Sequence, residues 1–122
     1  MVRSAEEFRK RTKQFALRVI CLCDSLPNKP TARVIGNQLL RAGTSVGANY
    51  RAACRARSPA EFCAKMGIVE EEADETVYWM ELLIEASLVQ PSLLSNLLQE
   101  ANEIVAMVVA SITTARQRKD RQ

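Results

Sequence analysis

The sequence predicts an all-α protein, an antiparallel up-down-up-down four-helix bundle, and three observations carry that expectation. Breaks at Pro27-Asn28-Lys29-Pro30, Ser58-Pro59 and Gln90-Pro91-Ser92 cut the chain into four segments of roughly 22 to 30 residues, each about 35–45 Å long as a helix. Within the segments, apolar residues recur at alternating steps of four and three, and none shows the period of two that a strand needs. Connections of only a few residues make consecutive helices antiparallel neighbours. The expected helices run about 4–26, 31–57, 59–87 and 91–116, in one domain over 1–122 with a basic tail at 117–122.

Segment one opens on Ser4 with Glu7, a capping box in which hydroxyl and carboxylate satisfy each other's backbone donors. Its seam is Phe8, Thr12, Phe15, Val19, Leu22 and Leu26. Segment two carries Ile35, Leu39, Ala42, Val46, Asn49 and Ala53 on its seam, with Gly36, Gly43 and Gly47 around it. Each of those glycines costs about 0.5–1 kcal/mol against Ala inside a helix, which points either to another backbone packed very close or to a kink near Gly43-Thr44-Ser45. Asn49 on the seam reads as a buried amide that sets register.

Segment three begins with Ser58 and Glu61 in the same capping pattern, and Pro59 falls at the first helical position, where its missing N–H is harmless. Its seam is Phe62, Met66, Val69, Ala73, Thr76, Met80 and Leu83. Segment four starts at Pro91 and places Leu94, Leu97, Ala101, Ile104, Val108 and Ser111 on its seam. Heptad-like seams of this kind belong to helices crossing near 20°.

Composition narrows function. A chain of 122 residues has room for one core. It contains no histidine, which removes Ser-His-Asp and Cys-His catalysis, Glu-x-x-His di-iron bundles, His-held zinc and His-held haem. Four glycines and no G-x-G-x-x-G or G-x-x-x-x-G-K-[ST] exclude the common phosphate-cradling loops. The expectation is a protein that is not an enzyme, with no cofactor and no metal. The charged start MVRSAEEFRKRTKQF has no apolar core, so no signal peptide is expected, and no apolar run is long enough for a membrane span. The chain reads as cytoplasmic. Cys21, Cys23, Cys54 and Cys63 then read as reduced and mostly buried thiols; Cys21 and Cys23 sit about 200° apart on a helix and cannot share a metal.

Charge is segregated. Segment two holds Arg33, Arg41, Arg51, Arg55 and Arg57 without an acid, while segment three holds Glu61, Glu70, Glu71, Glu72, Asp74, Glu75, Glu81 and Glu85 against Lys65. Most of these arginines are expected to pair with segment-three carboxylates, within one chain or between copies. Glu71, Asp74 and Glu75 share a helical face, but no other segment supplies the further ligands a bundle metal site needs, so a solvated acidic face is expected.

Up-down-up-down order brings the start of helix one, the end of helix two and the end of helix four to one pole. Arg9, Lys10, Lys13, Arg51, Arg55, Arg57, Arg116, Arg118, Lys119 and Arg121 are therefore the candidate nucleic-acid-binding residues, suited to a phosphate backbone, RNA or DNA, or to an acidic partner. No aromatic interleaves with them, so base stacking is not expected. The alternative is a protein–protein scaffold with no nucleic-acid binding. Tyr78 and Trp79, one of which must flank the seam, serve either the core or a subunit contact. With Arg41, Gly43 and Gly47 they are the candidate oligomer-interface residues.

Two blocks, Gln38-Leu39-Leu40-Arg41-Ala42-Gly43-Thr44-Ser45-Val46-Gly47-Ala48-Asn49-Tyr50 and Glu71-Glu72-Ala73-Asp74-Glu75-Thr76-Val77-Tyr78-Trp79-Met80-Glu81-Leu82-Leu83, with Ser58-Pro59-Ala60-Glu61-Phe62 and Ala64-Lys65-Met66 between them, resemble the ribosomal-RNA intervening-sequence family of bacterial four-helix-bundle proteins. The resemblance covers about residues 4–115. It implies a cytoplasmic homopentamer and no catalytic residues. The family is similar in architecture to the accessory variability protein of diversity-generating retroelements, a basic pentamer that binds nucleic acid and a reverse transcriptase, so a nucleic-acid-processing protein is an implied partner. Some members carry an acidic residue two or three positions after the asparagine matched by Asn49; here that stretch is Arg51-Ala52-Ala53.

Overall fold

Ser4 starts the first helix by accepting the Glu7 N–H at 3.0 Å, and the helix runs until Ser25 folds its own N–H back onto the last turn. In this computed structural model, which describes residues 4–120 except for the Lys119 side chain, four helices follow one another: α1 (Ala5–Asp24), α2 (Pro30–Ala53), α3 (Pro59–Glu85) and α4 (Pro91–Asp120). No strand occurs among the described residues. The fold is an all-α four-helix bundle. Its connections, residues 25–29, 54–58 and 86–90, are five residues each.

The direction of α2 against α1 can be read from their contacts. A Cβ on Gly36 would sit 2.7 Å from Leu26, one on Gly43 2.8 Å from Val19, and one on Gly47 3.2 Å from Thr12. Position rises along α2 as it falls along α1, so the two helices are antiparallel. The glycines mark close approach rather than a kink, since α2 is unbroken from Pro30 to Ala53. That approach is made inside one chain, by α1, and needs no second copy.

The core is the four seams. Phe15, Leu39, Met66, Met80, Leu83, Leu94 and Ile104 are fully buried. Thr12 is buried too, its hydroxyl donating to the Phe8 carbonyl of its own helix at 3.0 Å. Two expected seam positions are displaced by one residue. Tyr50, only 7% exposed, takes the place expected for Asn49, and Ile112 takes that of Ser111. Asn49 is half-buried, and its amide donates to the Ser45 carbonyl one turn back. The cause is the 3.6-residue turn: a strict alternation of four and three drifts about 20° per heptad, and an extra step of four restores the face.

Helix ends also moved. Pro59 holds Ser58 extended (φ −155°, ψ 159°), which bars a helix from running through that residue; α2 itself ends at Ala53, and Arg55 and Arg57 lie in the connection rather than on a helix. Ser58 caps α3 through the Glu61 N–H at 3.0 Å, while the Glu61 carboxylate accepts from the N–H of Arg57, one residue outside the cap. Residues 117–120, expected in a tail, continue α4. The cysteines are unbonded, but Cys21 and Cys54 are exposed and Cys23 and Cys63 half-buried, so they are not the buried set the sequence suggested. Cys21 points away from the seam, and Cys54 lies just past the end of α2.

Candidate nucleic-acid interface

The four helices are unequally joined. α2 packs extensively on α1 and α3, and α3 on α4, but α1 and α4 touch sparingly. Arg11 bridges that weak seam. Its Nε donates to Glu100 Oε2 at 2.7 Å and its Nη2 to Glu100 Oε1 at 2.8 Å, with a further bond from Nη2 to Glu103 at 2.8 Å. Hydrogen bonding to Glu100 raises the Arg11 pKa above its ordinary value against the opposing effect of burial. At the α2–α3 seam Arg41 pairs with Glu72 at 3.2 Å and with Glu75, whose carboxylate also accepts from Trp79 Nε1 at 3.0 Å. Of the segment-two arginines, Arg41 is the one whose guanidinium pairs with segment-three carboxylates among the described residues, while Arg57 reaches Glu61 only through its backbone N–H.

The predicted basic residues divide between two faces. Arg9, Lys10, Lys13 and Arg51 come together along a groove of about 560 Å³ between α1 and α2, floored by Ala16, Thr44, Gly47 and Ala48. Glu6 lies in the same groove, 3.7 Å from Lys10. Arg118 is on the other face, in a groove of about 620 Å³ between α1 and the end of α4 that also contains Arg11, Phe8, Tyr50 and Phe62. Arg116 is exposed and lines neither groove, as do Arg55 and Arg57 in the connection. Arg121 and the Lys119 side chain lie outside the described residues.

At the groove that contains Arg118, Phe8 and Tyr50 meet edge to face with ring centres 4.7 Å apart. Burial raises the Tyr50 pKa above its ordinary value, helped by hydrogen bonding with Cys54, while the Arg9 charge works the other way. Sequence reasoning placed Tyr50 among family-like residues without seeing it as core; its period fits once the extra step of four is allowed.

Tyr78 is 54% exposed on the outer side of α3, its ring 5.1 Å from that of Trp79, which packs partly against the core. Gly43 is buried and Gly47 half-buried, both against α1. The Glu71–Asp74–Glu75 face has Glu75 engaged by Arg41 and Trp79, and among the described residues no three metal-ligating side chains converge. No helix is long and apolar enough to cross a membrane.

The interior of the bundle is apolar, and its ion pairs between helices lie at the outer seams. The chain belongs to the 23S rRNA-intervening sequence protein family, whose model matches residues 6–110. Among solved structures it is similar to a protein of unknown function from the S23 ribosomal protein family of Bacteroides thetaiotaomicron, at 36% identity over 85% of this chain and 96% of that one, with a TM-score of 0.80. No curated protein matches it.

Proposed function

We propose that the protein is a non-enzymatic, oligomeric adaptor of the cytoplasm that binds structured RNA, or a protein working on nucleic acid, through its basic surface. The observation that carries this reading is the convergence of Arg9, Lys10, Lys13 and Arg51 on one groove. Such a cluster attracts a phosphate backbone and steers its approach. The family's name, which ties its members to inserts in 23S ribosomal RNA, supports RNA as the first nucleic acid to test. The resemblance to a pentameric family sets five as the expected number of copies.

Electrophoretic mobility of a structured RNA with excess protein tests the reading. Retardation at 50 mM salt that disappears towards 200 mM is expected; unchanged mobility at low salt overturns it. Light scattering is expected to show an assembly, and a monomer near 13.6 kDa at micromolar concentration would refute self-association. The exposed Tyr78 beside Trp79, on the acidic side of α3, favours a second reading, a protein–protein scaffold without nucleic-acid binding. Under it, charge reversal at the basic residues leaves assembly and partner capture intact.

A further inference from the structure

Two of the helix seams show how this chain handles a cation. At α1–α4 Arg11 is met by Glu100 and Glu103, and at α2–α3 Arg41 is met by Glu72 and Glu75. The α1–α2 seam departs from that pattern. The register that sets Thr12 against Gly47 and Val19 against Gly43 sets Arg9 level with Arg51, with Lys13 one turn further along α1, about 6 Å away. Cation therefore faces cation across the groove, and the one carboxylate among its described lining residues, Glu6, lies 3.7 Å from Lys10 on its own helix. Like charges on facing helices oppose folding, and an external anion removes the conflict.

The floor has a matching shape. Gly47 and Ala48 with Ala16 keep it shallow between the two cationic banks, so a rod can lie along it. No aromatic ring lines it among the described residues: Phe8 and Tyr50 border the other groove, with Arg118, and Tyr78 and Trp79 belong to α3. Single strands bound without sequence preference are held by stacking bases on aromatic rings as well as by charge, whereas a double helix keeps its bases inside and offers phosphates.

Resting on the RNA-binding reading above, we infer that the α1–α2 groove is the seat of that binding and takes one phosphodiester strand of a double helix. Arg9, Lys10 and Lys13 grip from one bank and Arg51 from the other, and base sequence is not read. An RNA stem is the ligand the proposed function names. Four phosphate contacts give a log–log salt slope of about −3 to −4, a loss of about a hundredfold between 50 and 200 mM salt.

The test is fluorescence anisotropy of the full chain with a 20-base-pair RNA duplex, a second duplex of scrambled sequence, and a 20-nucleotide oligouridine. Both duplexes are expected to bind within a few-fold of each other and at least tenfold tighter than oligouridine. Lys13→Glu/Arg51→Glu is expected to weaken duplex binding at least tenfold and flatten the slope to about −2 or less. Ala48→Glu, which places a carboxylate on the exposed floor, is expected to weaken it as well, and Arg33→Glu, a charge reversal like that at Arg51 but at the far end of α2, to leave it unchanged. Circular dichroism confirms that each variant is folded.

If the unaltered protein binds none of the three nucleic acids at 50 mM salt, the RNA-binding reading falls and takes this inference with it. If it binds but the groove variants bind equally well, or oligouridine binds as tightly as the duplexes, the groove assignment alone is overturned.

Discussion

Arg11 on α1 holds Glu100 on α4 side by side, through two nearly parallel hydrogen bonds of 2.7 and 2.8 Å, at the seam where those helices otherwise touch least. The guanidinium side chain is 22% exposed and the carboxylate side chain 18%, so the pair is largely out of water. A fork-to-fork pair in such a place contributes more than an exposed one, and removing one partner strands the other's charge.

Arg11→Ala is therefore expected to destabilise the protein by about 1–3 kcal/mol in urea unfolding, more than Lys10→Ala, whose exposed partner Glu6 lies 3.7 Å away. A double-mutant cycle with Glu100→Ala isolates the coupling. A coupling near zero would show that the α1–α4 seam is closed by its apolar contacts alone.

Gly43 and Gly67 should respond oppositely to the same substitution. A Cβ at Gly43 would lie 2.8 and 2.9 Å from the two methyl carbons of Val19, a fully buried β-branched side chain with little freedom to turn away. Gly43→Ala is expected to destabilise by about 1–3 kcal/mol despite the gain in helix propensity. At Gly67 nothing lies within 4 Å, and Gly67→Ala is expected to stabilise by about 0.5–1 kcal/mol. Thermal unfolding of both variants checks the pair.

Most of this architecture could be read from the sequence because its signals are local and repeated. Pro59 and Pro91 sit where helices begin, Ser4 and Ser58 cap as their spacing from Glu7 and Glu61 requires, and Met66 through Leu83 keep the seam without a slip. Errors gathered where local pattern gives way to geometry. Asn49 and Ser111 yielded to Tyr50 and Ile112 because helical drift accumulates along a seam. The cation cluster was visible as a list of residues, but its division was not. Whether Arg118 shares a face with Lys13 depends on which helices border α1, and that is fixed only when the chain is packed.

The turn after α3 holds a residue out of its preferred state. Ser87 has φ 58°, in the left-handed region, and the surrounding bonds, Ser87 N–H to the Ile84 carbonyl at 3.0 Å and Leu88 N–H to the Leu83 carbonyl at 2.9 Å, close the helix in the pattern that usually carries glycine there. Ser87→Gly is expected to stabilise the protein by about 0.5–1 kcal/mol, because glycine has no Cβ to strain at that φ. Chemical denaturation with an unchanged m-value and a higher midpoint would confirm it; a lower midpoint would show that the serine side chain itself supports the turn.

Cys23 differs from the other thiols. Its Sγ lies 3.4 Å from the Gly36 carbonyl between α1 and α2, and burial, with a smaller push from Asp24, raises its pKa to about 11. At pH 8 a maleimide or disulfide reagent is therefore expected to label exposed Cys21 and Cys54 well before Cys23, with order read by mass spectrometry of the intact chain. The same shift sets a direction for stability. An unfolded thiol ionises near 9.0 while the folded one stays neutral, so the unfolded state releases its proton first. Stability is full below pH 9 and falls as pH climbs towards 11, and Cys23→Ala is expected to flatten that part of the profile. Labelling of Cys23 as fast as Cys54 would mean that α1 and α2 separate readily at this level, and the close Val19–Gly43 contact one turn away would then have to be loose as well.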